Sequence, residues 1–407
     1  MKRIVVIGAG ASGMVAAITA AENYNNQVIL LEKQSRVGKK LLATGNGRCN
    51  LSNSNLSLSH YHGMDRRFTE VAIKNFTAKE TLKFFGKLGL LCNVSDSGRI
   101  FPYSHQAGSV VDILRFAVER SGIDLRTDCN VIDVIKVEDG FKIRVEGKDD
   151  IFADNVICSM GGAASAQLGG TSDGYRILKS LGHTCTDLYP SLVQLKTDTT
   201  YTKSLNGIKT NALVKINGKS AYGEILFTNY GVSGPVIFSV SRSVTCKKYP
   251  SWLNIDFMYE YDEKCIVDIL ERKRKILKDL DMSEFLTGIL NKRIGQTVIR
   301  YSGLKLSKRI DTLTYSDIKY IVRCMKHFHI KVVGDMGLCN AQVTAGGINV
   351  SEFNSRTMQS KICPGLFVTG ELLDVDGDCG GYNLQWAWSS GRLAGRLGEN
   401  GAGNYAK

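Results

Sequence analysis

Proline is scarce in this chain, five residues in 407. No Pro-rich, Gly/Ser-rich or low-complexity run stands out as a linker between domains. Missing too is any uninterrupted apolar run of about 18 residues, which excludes a membrane-spanning helix. The first apolar run is followed at once by glycines rather than by a cleavage site, so no signal peptide is expected. Eleven cysteines are present, yet none falls in a paired spacing such as C-x-x-C. Without an export signal they read as reduced thiols of a cytoplasmic protein. No internal repeat recurs. The net charge is +13, but aromatic residues do not interleave with the basic ones, so a surface excess is preferred over a nucleic-acid partner. An apolar content of 43% and a charged content of 22% describe an ordinary globular protein. The length suits two or three domains.

What is present begins at the N-terminus. The apolar run Ile4 to Ile7 reads as a buried strand and leads into Gly8-Ala9-Gly10-Ala11-Ser12-Gly13, followed by a small-residue helix from Met14 to Ala21. In a G-x-G-x-x-G turn the first glycine permits the sharp bend and the second lets the backbone approach a pyrophosphate. The third lets helix and strand pack closely. The helix N-terminus adds unpaired N–H groups for the phosphates. A second strand, Gln27 to Leu31, ends at Glu32, nineteen residues after Gly13, where an acid can bind a ribose diol. The motif alone is weak; strand, glycines, helix, strand and acid in that order make a dinucleotide site specific.

The loop Lys33 to Asn53 is dense in Gly, Asn and cations, and reads as backbone donors lying along an anionic ligand. Thr77 and Glu80 predict a capped helix through Leu88, and a second helix carries Val110, Val111, Leu114 and Val118. Strands are expected at Asp124 to Arg126, Val131 to Val137, Phe141 to Val145 and Asp150 to Ile157, and another apolar strand from Val156 ends in the small residues up to Gly161 and Gly162. From about Pro190 short strands (Ser191 to Lys196, Ala212 to Ile216, Gly223 to Thr228) predict a small antiparallel barrel or sandwich. The stretch Gly223 to Pro235, which holds Phe227 to Pro235, is expected to interrupt it and to start a helix with Pro235 near its first turn. Residues 262–331 read as helical and basic, with sixteen Lys/Arg against nine Asp/Glu, +7 of the total charge, on a solvated face. Gly365 to Glu371 is a further buried strand, and a final helix is expected from Trp386 to Leu397.

Four blocks carry a resemblance across nearly the whole chain: GKKLLATGNGRCNLSN (Gly38–Asn53), FTNYGVSGP (Phe227–Pro235), TAGGI (Thr344–Ile348) and GELLDVDGDCGGYNLQWA (Gly370–Ala387). Together they resemble the bacterial BaiN/YhiN-like FAD-binding flavoproteins, also labelled the aminoacetone oxidase family. The resemblance implies an α/β, Rossmann-like FAD-binding domain built from both chain ends, residues 1–189 and 344–407. Inserted between them would be a domain at 190–343, with a β-barrel at about 190–260 and 328–343 and a helical part at about 262–327. Asn229 and Cys379 depart from the family pattern, where His and Thr are expected.

The expected FAD, held non-covalently, places its pyrophosphate at Gly8, Gly10, Ala11, Ser12 and Gly13 and its adenosine ribose at Glu32, with Lys33 and Lys40 bordering the adenosine end. By the same resemblance Thr44, Gly45, Asn46, Gly47, Arg48, Cys49 and Asn50 lie against the isoalloxazine. Val131 lies near the adenine and Gly161 and Gly162 beside the dinucleotide. Gly370 and Glu371 meet the ribityl–phosphate region. Gly381, Tyr382, Asn383 and Leu384 reach the pyrimidine edge from a helix N-terminus, whose dipole favours charge on a reduced flavin. Arg48 and Arg99 are candidates for binding a carboxylate or steadying an enolate, and Tyr230 and Tyr103 are candidate proton donors. No metal site is expected. Asp374-Val-Asp376-Gly-Asp378 fails the calcium-loop pattern, with Cys379 at the glycine position and Gln385 at the final glutamate position. Cys324, His327 and His329 read as helix-end residues. Cys49 and Cys379 are taken as unpaired small residues.

The preferred activity is NAD(P)H-fed reduction of an activated C=C bond in a small organic substrate, with NAD(P)H a transient visitor because only one dinucleotide fingerprint is found. Alternatives are a flavin-dependent amine or aminoketone oxidase and a flavin-bound RNA-binding or tRNA-modifying protein. The oligomeric state is not legible.

Overall fold

In the computed structural model, residues 1–247 and 249–398 are described. The chain parts into two compact units, Met1–Tyr189 with the chain from Gln342 onward, and Pro190–Ala341.

The first unit is organised on a five-stranded, all-parallel sheet. Its strands run Leu366–Val368, Asn155–Cys158, Lys2–Ile7, Asn26–Leu31 and Asp124–Arg126 in that spatial order. The segment that opens the chain lies at the centre, and Ile4, Val5 and Val6 have no exposed surface. Such strands read as unbroken apolar runs because helices cover both faces of a parallel sheet. The first helix spans Ala11–Ala21, three residues longer at its start than the sequence suggests, because Gly10 already takes the extended N-cap conformation. The segment expected as one strand from Asp150 to Ile157 is two. Ile151–Ala153 joins an antiparallel sheet with Gly140–Val145 and Val131–Val137, and Asn155–Cys158 enters the parallel sheet. Asp154 and Asn155 interrupt the apolar run, and the backbone changes sheets there.

The last helix is Tyr382–Gly395, beginning four residues before the apolar pattern signals it. It lies directly on the first helix. A Cβ added at Gly391 would sit 2.4 Å from the Ser12 carbonyl oxygen, and one at Gly395 would sit 2.5 Å from that of Ala16. These two glycines, four apart on one helix face, therefore serve close helix packing and not a second nucleotide.

The second unit holds a closed antiparallel barrel. Its strands run Leu195–Thr197, Gly231–Ser233, Lys219–Phe227, Lys209–Ile216, Ser251–Asp256 and Phe328–Asp335, the last pairing back with the first. Two expectations are corrected here. The stretch Phe227–Pro235 does not interrupt the barrel: it supplies the strand Gly231–Ser233, and the helix Pro235–Thr245 follows with proline in its first turn. The strand expected from Ser191 to Lys196 is broken around Leu192, whose φ is +52°. Three helices, Glu263–Ile276, Lys292–Tyr301 and Tyr315–Lys326, share this unit's apolar core. The helical stretch stops at Lys326, so residues 328–331 belong to the barrel.

Candidate functional site

The glycine turn behaves as its three glycines require. Gly8 has φ +100°, and its N–H donates to the Leu31 carbonyl at 2.7 Å, which ties the turn to the end of the neighbouring strand. A Cβ at Gly13 would lie 1.8 Å from the Gly8 carbonyl oxygen, so only glycine lets the helix start this close to the strand. A Cβ at Gly10 would meet nothing within 4 Å. That glycine is therefore not required by the protein's own packing, and the open space beside it, at a helix N-terminus, fits a pyrophosphate. Ser12 is buried between this helix and Gly370, whose Cβ would come within 2.9 Å of the Ser12 hydroxyl.

Glu32 lies at the end of the second strand as expected. Its carboxylate accepts from the Ala9 N–H at 2.8 Å and the Gln34 N–H at 2.9 Å. Burial pushes its pKa up, against backbone hydrogen bonds that pull it down. With about four acceptor positions it keeps capacity for a ribose hydroxyl. Val131 is buried in its strand close by, after Cys129, whose N–H donates to the Glu32 carbonyl.

The two lysines part company. Lys33 pairs with Asp173 at 3.3 Å near the surface. Lys40 pairs with Glu371 at 2.9 Å, and Glu371 also accepts from the Thr344 N–H at 2.8 Å. Lys40 thus sits with the residue assigned to the ribityl–phosphate region, not with Lys33. A Cβ at Gly162 would collide with Glu371 and Thr344 at 2.4 Å, whereas Gly161, with φ +74°, has open space around it. The Thr344 hydroxyl accepts from the Ala164 N–H, so the TAGGI block buttresses the same corner.

The loop from Thr44 to Asn50 is bent by four positive φ angles: Gly45 +57°, Asn46 +56°, Gly47 +80° and Cys49 +57°. Such conformations cost a non-glycine residue roughly 1–2 kcal/mol, and they turn successive N–H groups outward into a nest. Thr44 anchors the bend by donating to the Leu41 carbonyl and accepting from the Cys49 N–H through its own carbonyl. Arg48 is exposed, its guanidinium 5.3 Å from the Phe101 ring centre and its Nε donating to the Gly45 carbonyl. Asn50 has a buried side-chain oxygen with no hydrogen-bond partner. A Cβ at Gly381 would approach that oxygen to 2.9 Å. An orphaned buried acceptor is costly and asks for a donor. A flavin ring N–H is one such donor.

Gly381, with φ +99°, is the N-cap of the last helix, and the first-turn N–H groups of Tyr382, Asn383 and Leu384 have no intrahelical carbonyl to reach. The Asn383 side chain is committed elsewhere, accepting from the Gly377 N–H and donating to its carbonyl, both at 2.8 Å. Arg99 lies on the strand Arg99–Pro102, opposite Asn53, and interacts electrostatically with Cys379 and Tyr382. Tyr103 is exposed. Tyr230 belongs to the second unit, at the turn before Gly231, with its carbonyl accepting from the Thr197 N–H.

Burial pushes the Cys49 thiol up to about 12 and the Cys379 thiol up as well. Both are free and held as thiols at neutral pH, so neither is an activated nucleophile. Among the described residues no group of His, Cys, Asp and Glu is arranged to hold a metal.

One cluster escaped the sequence reading. His60 closes a short 3-10 turn, Leu58–His60, and His62 ends the two-residue strand Tyr61–His62 that follows it. They meet opposite oxygens of Asp378, at 3.0 Å and 2.7 Å. His60 also stacks on Tyr382, with ring centres 4.2 Å apart. Burial raises the Asp378 pKa, but the hydrogen bonds from His62 and His60 outweigh it and the net direction is down. The His-x-His pattern was the available signal; its partner lies more than 300 residues away and cannot be seen in sequence.

The comparisons with known proteins follow this geometry. Residues 2–397 match the family described as HI0933-like protein Rossmann domain. The chain is 38% identical over 405 residues, 97% of this chain and 98% of the relative, to a 3-dehydro-bile acid delta(4,6)-reductase of Clostridium scindens. It is 27% identical to a ribosomal RNA dihydrouridine synthase of Escherichia coli K12, covering 95% of each chain. Among solved structures it superposes on a quinol–fumarate reductase with TM-score 0.51 at 16% identity, covering 100% of this chain and 73% of that one, a likeness of fold. No helix among the described residues is long and apolar enough to cross a membrane. With its glycine turn, strand-end acid and open cradle in place, this chain belongs to the HI0933-like Rossmann family of BaiN/YhiN-type FAD-binding oxidoreductases.

Proposed function

We propose that this enzyme reduces a C=C bond conjugated to a carbonyl in a small organic substrate, with NAD(P)H as electron donor. The observation that carries this reading is the 38% identity, end to end, with a reductase named for the Δ4,6 positions of a 3-dehydro bile acid. The E. coli relative is named for a related change, since dihydrouridine is uridine with one ring C=C saturated. Bound FAD supplies the hydride chemistry.

In this reading Gly8, Gly10, Ala11, Ser12 and Gly13 receive the pyrophosphate, and Glu32 takes a ribose hydroxyl. The Thr44–Asn50 loop and the first turn of the last helix, Gly381 to Leu384, hold the ring system. Asn50 satisfies its orphaned oxygen there. Arg48 or Arg99 draws electron density onto the substrate carbonyl, which makes the far end of the conjugated system accept hydride. NAD(P)H and substrate use one pocket in turn, because the chain carries one dinucleotide fingerprint.

The test is anaerobic. NAD(P)H should bleach the flavin, and a conjugated enone, but not its saturated ketone, should restore the colour. Steady-state plots should then be parallel, with NAD(P)+ competing against substrate for reduced enzyme. Intersecting lines with a ternary complex would refute the shared pocket. Recovery by oxygen alone, with consumption of an amine, would replace the reductase by an oxidase.

A second reading, reduction of an RNA base, is favoured by the dihydrouridine synthase relative. Against it, several cations of the basic insert are spent on the protein's own carbonyls: Arg293 on Ser204 and Asn206, Arg274 on Leu313, Lys273 on Thr287 and Arg309 on Lys278 and Asp279. Ribosomal RNA affinity that falls steeply with salt would support it; no binding at low salt would dismiss it.

A further inference from the structure

We propose that Lys148 and Cys129 form an oxidative lysine–cysteine crosslink, a nitrogen–oxygen–sulfur bridge, at the adenosine end of the FAD unit. The Lys148 Nζ lies 3.0 Å from the Cys129 Sγ, a gap that one oxygen atom spans with little movement. The backbone brings the two residues side by side. Cys129 precedes the strand Val131–Val137 and Lys148 follows the strand Gly140–Val145. Val131 and Val145 are paired across the hairpin, so the two flanking loops are neighbours by register. The Glu146 N–H donates to the Asn130 carbonyl at 2.9 Å, and the Asn130 side chain donates to Glu146 at 2.7 Å. Those two bonds lock the loops together beside the pair.

The ammonium has no competing anchor. Lys142 takes Asp150 at 2.7 Å, whereas Lys148 makes no ion pair with a carboxylate among the described residues and spends its donor on sulfur. Arg126, one strand away, also interacts electrostatically with the thiol. Cys129 is a free cysteine. It is buried, while Lys148 is exposed, so a bulky thiol partner is excluded and the oxidant must be small.

The oxidant is a peroxide, two molecules per crosslink. Thiolate, ammonium and two hydrogen peroxides give one S–O–NH bridge and three waters. One S–O and one O–N bond form, two O–O bonds break, and the four electrons taken from sulfur and nitrogen reduce the peroxides. Sulfenic acid at Cys129 is the intermediate expected from the first equivalent. The bridge would fasten the hairpin to the loop that holds the end of the Glu32 strand, since the Cys129 and Asp128 N–H groups donate to the Glu32 and Gln34 carbonyls at 2.8 Å and 3.1 Å.

The test is mass spectrometry of the full-length holoenzyme treated with hydrogen peroxide and digested with trypsin. The expected product joins the peptide carrying Cys129 to the one carrying Lys148, heavier than their sum by one oxygen and lighter by two hydrogens. Cleavage after Lys148 should be lost, and a thiol reductant should restore both peptides. Lys148→Arg and Cys129→Ser should each abolish the product; the lysine is exposed, so its variant keeps the fold. Cys339, which is exposed, serves as the internal gauge of oxidation. Oxidised Cys339 with an untouched Cys129 would overturn the proposal. So would Cys129 sulfinic acid beside free Lys148, or a crosslink that persists in Lys148→Arg.

Discussion

Two helices of the first unit begin at a glycine, and they begin for different reasons. The first helix starts at Gly10, whose backbone is extended and whose missing side chain leaves empty space. The last starts at Gly381, with φ +99°, where a Cβ would sit 2.4 Å from the Ser52 carbonyl oxygen. One glycine leaves space that no other part of the protein fills, where the pyrophosphate is proposed. The other is demanded by the chain's own path. Gly161 and Gly162 are both demanded by the chain, the first by its φ of +74° and the second by Glu371 and Thr344 against it.

The comparison breaks most visibly at Gly13. Its Cβ would lie 1.8 Å from the Gly8 carbonyl oxygen, with backbone on both sides and no flexible side chain to yield. Gly13→Ala is expected to destabilise the first unit by about 3 kcal/mol or more, as overpacking of a closed core does. Thermal unfolding followed by circular dichroism should show a clear fall in midpoint even for protein stripped of flavin. An unchanged midpoint would mean that strand and helix are not packed this closely.

Gly10→Val should do the reverse. With no neighbour within 4 Å and an ordinary φ, valine fits the free protein and should change its stability by less than about 0.5 kcal/mol, as surface substitutions do. It fills the space proposed for the pyrophosphate, so FAD affinity should drop by about a hundredfold or more, near 2.7 kcal/mol. Flavin released per mole of purified protein measures this directly. A yellow variant at wild-type occupancy would remove the pyrophosphate from this turn.

The legibility of the sequence follows the same division. The glycine turn was readable because strand, turn, helix and acid are contiguous, and each residue's reason is local. Glu32 was found by its spacing. The boundary at Asp154 was not, because leaving one sheet for another depends on partners far along the chain. Nor was the early start of the last helix, since Tyr382 to Gln385 carry no apolar period; their helix is fixed by Gly381 and by the buried Gln385 amide, which bonds to Ser52, Thr81, Ser389 and the Phe76 carbonyl. Lys40 and Glu371 were both singled out, but their ion pair spans 331 residues, so the two could be assigned to different ends of one ligand. Resemblance to the family supplied the loop Thr44–Asn50; the structure adds that its bends are held by positive φ angles and that Asn50 carries an orphaned acceptor.

The smallest expected effect concerns the approach to the last helix, which the protein secures by its own contacts. Asp378 binds His60 and His62 through opposite oxygens, and its backbone N–H donates to the His60 carbonyl at 2.9 Å. Burial raises its pKa, the two histidine bonds lower it further, and the balance falls below the ordinary 3.8. A depressed carboxyl contributes stability that is present above the unfolded value and is lost as pH falls through the folded one. Asp378→Asn keeps the size and removes the charge, so at neutral pH it should cost about 1 kcal/mol, the worth of charged hydrogen bonds discounted for a side chain more than a third exposed. The gap between wild type and variant should hold from neutral pH down to about pH 4, the ordinary carboxyl range, and close below it. Denaturant titrations across that window provide the measurement. A gap that stays fully open below that range would show that Asp378 acts as a neutral group and not as a carboxylate kept ionised by the two histidines.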